Sequence, residues 1–356
     1  MAAASSLAST TTRPTGPAPF SRERLAAGAL LLALAALPWI AHLAGDPYLL
    51  KIGTRIVIFG LAAAALDLAL GVAGLVSFGH AAFLGIGAYA VGVSFQHGFE
   101  GSALLGLPPP GDAFVRYPLA MLAAGLYGLL TGLVALRTQG VAFIMITLAF
   151  AQMLYFLLLS LKAYGGQDGI ALWTRSGGGG LLDLEGQASF HLLCLACLAL
   201  YIGLARRLLA APLGRALAAA RDDEARAEAL GFPVFAHRLL AYTLSAAVTG
   251  LAGALLADAT YFVGPSFAGW QTSGELIVMV ALGGLGTIVG PVLGAAAFIL
   301  LEELAPALLG GVLGPAAGEH WKIALGLALV LVATRTRRGL WGLLVGTGRG
   351  VAGGAG

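Results

Sequence analysis

Long apolar runs separated by short polar ones organise almost the whole chain. Apolar segments fall near 25–44, 52–70, 72–95, 116–136, 140–160, 189–207, 239–260, 275–286, 289–309 and 320–334. A helix needs about 20 apolar residues to cross a bilayer, and backbone groups in hydrocarbon must be bonded internally. The runs lack the period-two alternation of barrel strands. The pattern therefore predicts an all-α, polytopic membrane protein of about ten transmembrane helices, some of them short or broken.

The stretch 275–309 reads either as one long span or as two short ones, and charge decides between them. With two crossings and an internal N-terminus, 14 of the 20 lysines and arginines fall on the cytoplasmic side: Arg13, Arg22, Arg24, Arg137, the six from Arg206 to Arg238 and the four from Arg335 to Arg349. A single crossing leaves 11 against 9. An excess of Lys and Arg marks cytoplasmic loops. Two crossings and cytoplasmic N- and C-termini follow. The expected domains are a disordered segment at 1–20, one transmembrane domain at 21–336 with a cytoplasmic insert at 211–238, and a Gly-rich tail at 337–356.

Composition agrees with this class. Apolar residues make up 59% of the 356 and charged residues only 10%, against about 25% charged in a soluble domain. The net charge of +3 is spread along the chain, which suits topology signals and a lipid bilayer as partner rather than nucleic acid. Cys194 and Cys197 form a C-x-x-C inside an apolar run. No second pair or histidine cluster accompanies them, so they read as small apolar residues on a helix and no metal site is expected.

Three kinds of position depart from a plain span. In GLVSFGHAAFLGIGAYAVG, Ala81, Gly85, Ala88 and Gly92 lie on one helix face; Ala246, Gly250 and Ala254, and Gly286, Gly290 and Gly294, repeat a spacing of four. Small residues at that spacing let helix backbones approach in lipid, so these are expected packing faces. Gly283, Gly284 and Gly286, followed by Gly290-Pro291, predict a helix break, as does Ser77-Phe78-Gly79-His80. Ionisable residues inside spans are functional suspects. Asp67, Asp258 and Glu275 fall near predicted span ends, whereas His80 lies deeper and reads as a hydrogen-bonder between helices.

The insert APLGRALAAARDDEARAEALGFPVFAHR is the only long charged segment on the cytoplasmic side. Leu213, Leu217, Ala220 and Ala227 form a weak apolar stripe, while Arg215, Arg221, Asp222, Asp223, Glu224, Arg226 and Glu228 are expected to face solvent. Gly231 and Pro233 end the helix. The residues alone leave two readings open: a connector lying on the membrane, or a docking helix for a cytoplasmic partner.

Four stretches make the chain resemble the LivM-type permeases of bacterial ATP-binding-cassette importers for branched-chain amino acids. They are GLVSFGHAAFLGIGAYAVG; LRTQGVAFIMITLAFAQMLYF with GGQDGI; GRALAAARDDEARAEALGFPVFAHRLLAYTLSAAVTGLAGAL; and ELIVMVALGGLGTIVGPVLGA. The resemblance implies an inner-membrane pore subunit for Leu, Ile and Val. It implies as partners a second homologous permease, two cytoplasmic ATPase subunits and a periplasmic substrate-binding protein. It also implies that the loop holding Gly214, Arg215, Arg221, Asp222, Asp223, Glu224, Glu228 and Gly231 contacts the ATPase.

The chain carries no G-x-x-x-x-G-K-[ST], and its only lysines are Lys51, Lys162 and Lys322. It therefore binds no cofactor of its own in this reading; ATP and Mg are used by the partner ATPases. No H-E-x-x-H or serine–histidine arrangement suggests catalysis, so no catalytic residue is expected. Helix ends at a break can present backbone dipoles to an amino acid's charged groups, which makes Ser77, Phe78, Gly79, His80, Phe83, Gly283, Gly284 and Gly286 the candidate pathway residues. Alternatives within reach of the same sequence are import of urea or short-chain amides, and a stand-alone secondary carrier. In a cysteine-accessibility scan, a cysteine at position 340 should react from the cytoplasmic side; labelling from outside overturns the topology.

Overall fold

A computed structural model describes residues 19–103, 108–180, 183–313 and 339–345, together with 323 and 326. Most of the expected segment 1–20, the expected span 320–334 apart from two residues, and the last eleven residues lie outside it. The described chain is a helical bundle. Its long helices are α1 (Pro19–Ala44), α2 (Pro47–Asp67), α3 (His80–Glu100), α4 (Ala113–Ala135), α5 (Val141–Ser160), α6 (Gln187–Ala210), α9 (Val234–Thr260), α10 (Trp270–Gly283) and α11 (Gly290–Leu313). The insert forms α7 (Pro212–Asp222) and α8 (Glu224–Ala229), and α12 is Gly339–Val345. The expected tail at 337–356 thus contains a helix.

By length and composition six helical segments can cross a membrane: Glu23–Ala44, Pro47–Val72, Ala113–Ala135, Val141–Ser160, Gln187–Ala210 and Val234–Thr260. The second of these joins α2 to a π-helical turn, Leu68–Val72. The expected span 72–95 is displaced, because helix α3 starts only at His80, and 275–309 divides at a turn between Gly283 and Gly290.

Helix α2 is the axis of the bundle: 89% of its apolar window is buried, against 22% for α5. Helices α6, α9 and α11 pack around it, and α9 also packs along α3 and α4. A short antiparallel pairing of Ile170–Ala171 with Phe262–Val263 closes the end where α3 and α9 finish.

Close backbone approach explains the glycines. A Cβ at Gly87 would lie 1.8 Å from the Gly250 carbonyl oxygen, and one at Gly253 would lie 1.9 Å from that of Leu84. Gly294 stands equally close to Met279 O on α10. Ala81, Ala88, Ala246 and Ala254 are fully buried, and Gly250 meets Ala124 of α4. Three expected packing positions differ. Gly85 and Gly92 press against Ala268 and against Ile170 and Val263, so their neighbours are a 3-10 turn and the short strand pair rather than another long helix. Gly286 precedes α11 and turns the chain at φ 73° instead of packing a helix face.

Adding one methyl at such a contact forces the helices apart, which costs about 1–3 kcal/mol. Gly87→Ala and Gly294→Ala should therefore lower the thermal midpoint in detergent. Gly203→Ala, where a Cβ meets nothing within 4 Å, should leave it unchanged.

Candidate functional site

The chain leaves helix twice inside the bundle, and polar side chains from other helices satisfy the freed backbone both times. After the π turn, Gly74 takes φ 72° and the chain runs irregularly to Gly79. The Leu75 amide returns to Ala69 O at 2.8 Å, the Phe78 amide donates to Thr147 Oγ1 of α5 at 3.3 Å, and the Gly79 amide donates to Ser77 Oγ at 3.1 Å. Ser273 of α10 bonds twice: its hydroxyl donates to Phe78 O at 2.7 Å and accepts from the Ala81 amide at 2.9 Å. One serine therefore joins the starts of α3 and α10.

Ser77 and His80 are wholly buried. His80 Nε2 lies 2.8 Å from Ser245 Oγ on α9, and that hydroxyl in turn donates to Ala65 O on α2. Phe83 is also buried, in a cluster of edge-on rings with His80, Tyr127 and Tyr242. A Cβ at Gly79 would lie 3.1 Å from Tyr242 Oη. Ser77, Gly79, His80 and Phe83 thus sit within the packed bundle, and Phe78 is partly exposed.

The second break is 284–289. Gly284 and Gly286 take φ 122° and 73°, and Ile288 takes φ 53°. That value is rare for a β-branched residue and marks local strain. Buried Asp67 holds the turn: its carboxylate accepts from the Gly286 amide at 2.7 Å and from the Ile288 amide at 3.3 Å. Gly283 is buried where α10 and α11 meet, with no room for a side chain beside Gly290. Asp258, the other buried carboxylate among the described residues, accepts from Tyr117 Oη at 2.7 Å and from the Ser176 amide at 3.3 Å. Both Asp67 and Asp258 tie loops to helices.

The insert rests on both breaks. Arg221 of α7 donates to Gly71 O at the end of the π turn, its stem fills the space beside Gly74, and a guanidinium nitrogen would lie 3.9 Å from a Cβ on Gly286. Glu224 pairs with Arg238 at 2.8 Å and accepts from Gln139, beyond α4, at 3.0 Å. Asp223 separates α7 from α8 and caps α8 by accepting the Arg226 amide at 3.0 Å. The single helix expected here is thus two; Asp223 and Glu224 are half-buried among partners, and Arg221 is exposed as expected while also bonded to Gly71. Arg215, Asp222, Arg226, Glu228 and Gly231 are exposed, Gly214 is buried against Leu209, and Leu217, Ala220 and Ala227 are buried. A cleft of about 190 Å³ opens beside the insert between Gly74–Val76, Leu136–Ile144, Glu224 and Arg238.

Sequence reasoning missed Thr147, Ser245 and Ser273. A hydroxyl inside an apolar run is ordinary in a membrane helix, and only the fold shows which ones meet a break. Asp67 was placed near a span end, with nothing in the pattern to link it to a turn 219 residues away.

Comparison with known proteins adds a family. The model of a family described as "Branched-chain amino acid transport system / permease component" matches residues 48–333. The protein from Salmonella typhimurium named high-affinity branched-chain amino acid transport system permease protein LivM is 29% identical over 306 residues, covering 80% of this chain and 68% of that protein. The Escherichia coli protein of the same name is 30% identical over 276 residues, covering 71% and 62%. The alignments thus span about two thirds of these relatives' own length. No solved structure gives a significant match.

Removing the Asp67 carboxylate leaves two amide donors of the turn unpaired, at about 1–3 kcal/mol each. Asp67→Ala should lower thermal stability by roughly that amount, and a deletion of the Asp258 contacts by Asp258→Ala should act independently of it. Unchanged unfolding of Asp67→Ala in detergent overturns the assignment.

Proposed function

The chain belongs to the branched-chain amino acid transport permease family, and from that premise we propose that it is the pore-forming permease subunit of an ATP-driven importer for leucine, isoleucine and valine in a bacterial inner membrane. It works with a second, homologous permease, two cytoplasmic ATPase subunits that use ATP and Mg, and a periplasmic substrate-binding protein. In this reading the chain has about ten spans with both termini cytoplasmic. The division of 275–309 into two helices, α10 and α11, around one turn supports it.

The observation that carries the coupling is the seat of Arg221. An ATPase pressing on α7 and α8 moves a side chain that is bonded to the end of α2 and lies against the turn between α10 and α11. Those are the ends of the broken helices. Ser77, Phe78, Gly79, His80 and Phe83 on one side, and Gly283, Gly284 and Gly286 on the other, act as the hinges about which the pathway changes its open side. The loosely packed α5 is free to follow, because only its Phe143, Thr147, Ala151 and Leu158 are buried.

The exposed Arg215 and Glu228 then face the ATPase, and Arg221 transmits. Tagged wild-type chain should co-purify with ATPases and a second permease. Arg215→Glu with Glu228→Lys should lose the ATPase. Arg221→Ala should keep it bound while uncoupling ATP hydrolysis from leucine uptake in proteoliposomes. Full uptake by Arg221→Ala rules out the transmitting role.

A further inference from the structure

Helix α1 packs on both α6 and α12, and beside the second break these three elements leave a cleft of about 450 Å³. Arg24, Arg206 and Trp341 line it, and the turn held by Asp67 contributes Gly286, Thr287, Ile288 and Val289. Arg24 stands near the start of α1 and Arg206 near the end of α6. Both arginines are exposed, and neither has an ion-pair or hydrogen-bond partner among the described residues. Glu23 also lines the cleft but pairs with neither of them, so two positive charges against one negative leave a net +1. Trp341 is buried, yet its indole N–H meets no acceptor among the described residues. A buried indole N–H usually finds one.

Toward the middle of the spans the surface below these cations is apolar. Along α6 the face of Arg206 continues through Gly203, Ala199 and Ala196, at spacings of three and four, and all of them are exposed. A Cβ on Gly203, or on Gly28 of α1, would meet nothing within 4 Å. Leu200 and Leu204 of α6 and Leu25 and Leu32 of α1 are exposed as well. Both helices belong to the segments long and apolar enough to cross a membrane. Unpaired cations at the ends of two neighbouring spans, above a low apolar surface, fit an amphiphile with an anionic head. A free anion would make no use of the apolar part.

We propose that this cleft binds the phosphate of an anionic phospholipid from the leaflet at that end of the bundle. Arg24 and Arg206 take the phosphate oxygens, the Trp341 N–H is a third donor, and the acyl chains lie along Ala196, Ala199 and Gly203. Basic pockets between transmembrane helices hold such head groups, and a guanidinium matches phosphate through paired hydrogen bonds. Tryptophan is favoured at the same depth, where the membrane meets water. Because the head rests on the turn at 286–289, an occupied cleft braces the strained Ile288 conformation. The inference needs only that the chain lies in a membrane, and it is independent of what the chain transports.

The test uses the full-length chain, purified in mild detergent with the subunits that accompany it and titrated with phosphatidylglycerol. A ligand of the folded state raises the thermal midpoint, and native mass spectrometry counts the bound lipid. One charge near the membrane surface is worth about fivefold in affinity. Phosphatidylglycerol should therefore raise the midpoint, and phosphatidylcholine should bind at least about fivefold more weakly. Arg24→Gln and Arg206→Gln should each weaken phosphatidylglycerol binding about fivefold, and together roughly twentyfold. Arg137→Gln, which removes a charge at the end of α4, should change nothing. Equal binding of the two lipids by the wild-type chain overturns the proposal without depending on any variant, and unchanged affinity of the double variant overturns it as well. Glycerol phosphate separates lipid from free phosphate: failure to displace the lipid at equal concentration supports the lipid site, and displacement overturns it. No phosphatidylglycerol binding by the chain with its accompanying subunits also overturns it, and makes the cleft a protein contact.

Discussion

Everything at the end of this bundle where α2 meets the turn between α10 and α11 depends on one carboxylate. Helix breaks inside a membrane expose amides that hydrocarbon cannot satisfy, so a break persists only where protein supplies the partner. Asp67 supplies it for the turn between α10 and α11. The strained Ile288 conformation is held by the same group. With the turn fixed, α10 and α11 pack closely at Gly283, Gly290 and Gly294, and Arg221 finds both broken ends within reach.

The other break follows the same rule with neutral groups. Thr147 and Ser77 each take one freed backbone group, Ser273 takes two, and His80 bridges to Ser245. Neutral partners hold a segment more weakly than a charged one does. The two breaks therefore differ in their anchors, the turn at 284–289 being held by a carboxylate and the segment at 74–79 by hydroxyls. A transporter that must move its middle suits that difference.

Much of this was legible in the sequence, for identifiable reasons. Apolar runs report helices directly, so the ends of α4, α5 and α6 fall close to the expected limits. Glycine and proline reported the break at 283–290, and charge reported its reversal. Partnership was not legible. Leu68–Val72 continues helix as a π turn, because Gly71 and Gly74 allow it and Arg221 caps it, which pushes the start of α3 to His80. Gly85 and Gly92 obeyed a helix-packing spacing, yet they serve a 3-10 turn and a short strand pair, since spacing says only that something comes close. The insert looked like one solvated helix because nothing local reveals that Glu224 has Arg238 waiting, or that Asp223 restarts the helix.

The bond between Asp67 and Gly286 also sets a timetable. The two residues are 219 positions apart, and a ribosome working at about 5–20 residues per second needs roughly ten to forty seconds to make the intervening chain. Helix α2 is thus made and inserted long before its turn exists. Over that interval the carboxylate must be kept by water or by the insertion machinery, and this end of the bundle can close only once Gly286 has been made.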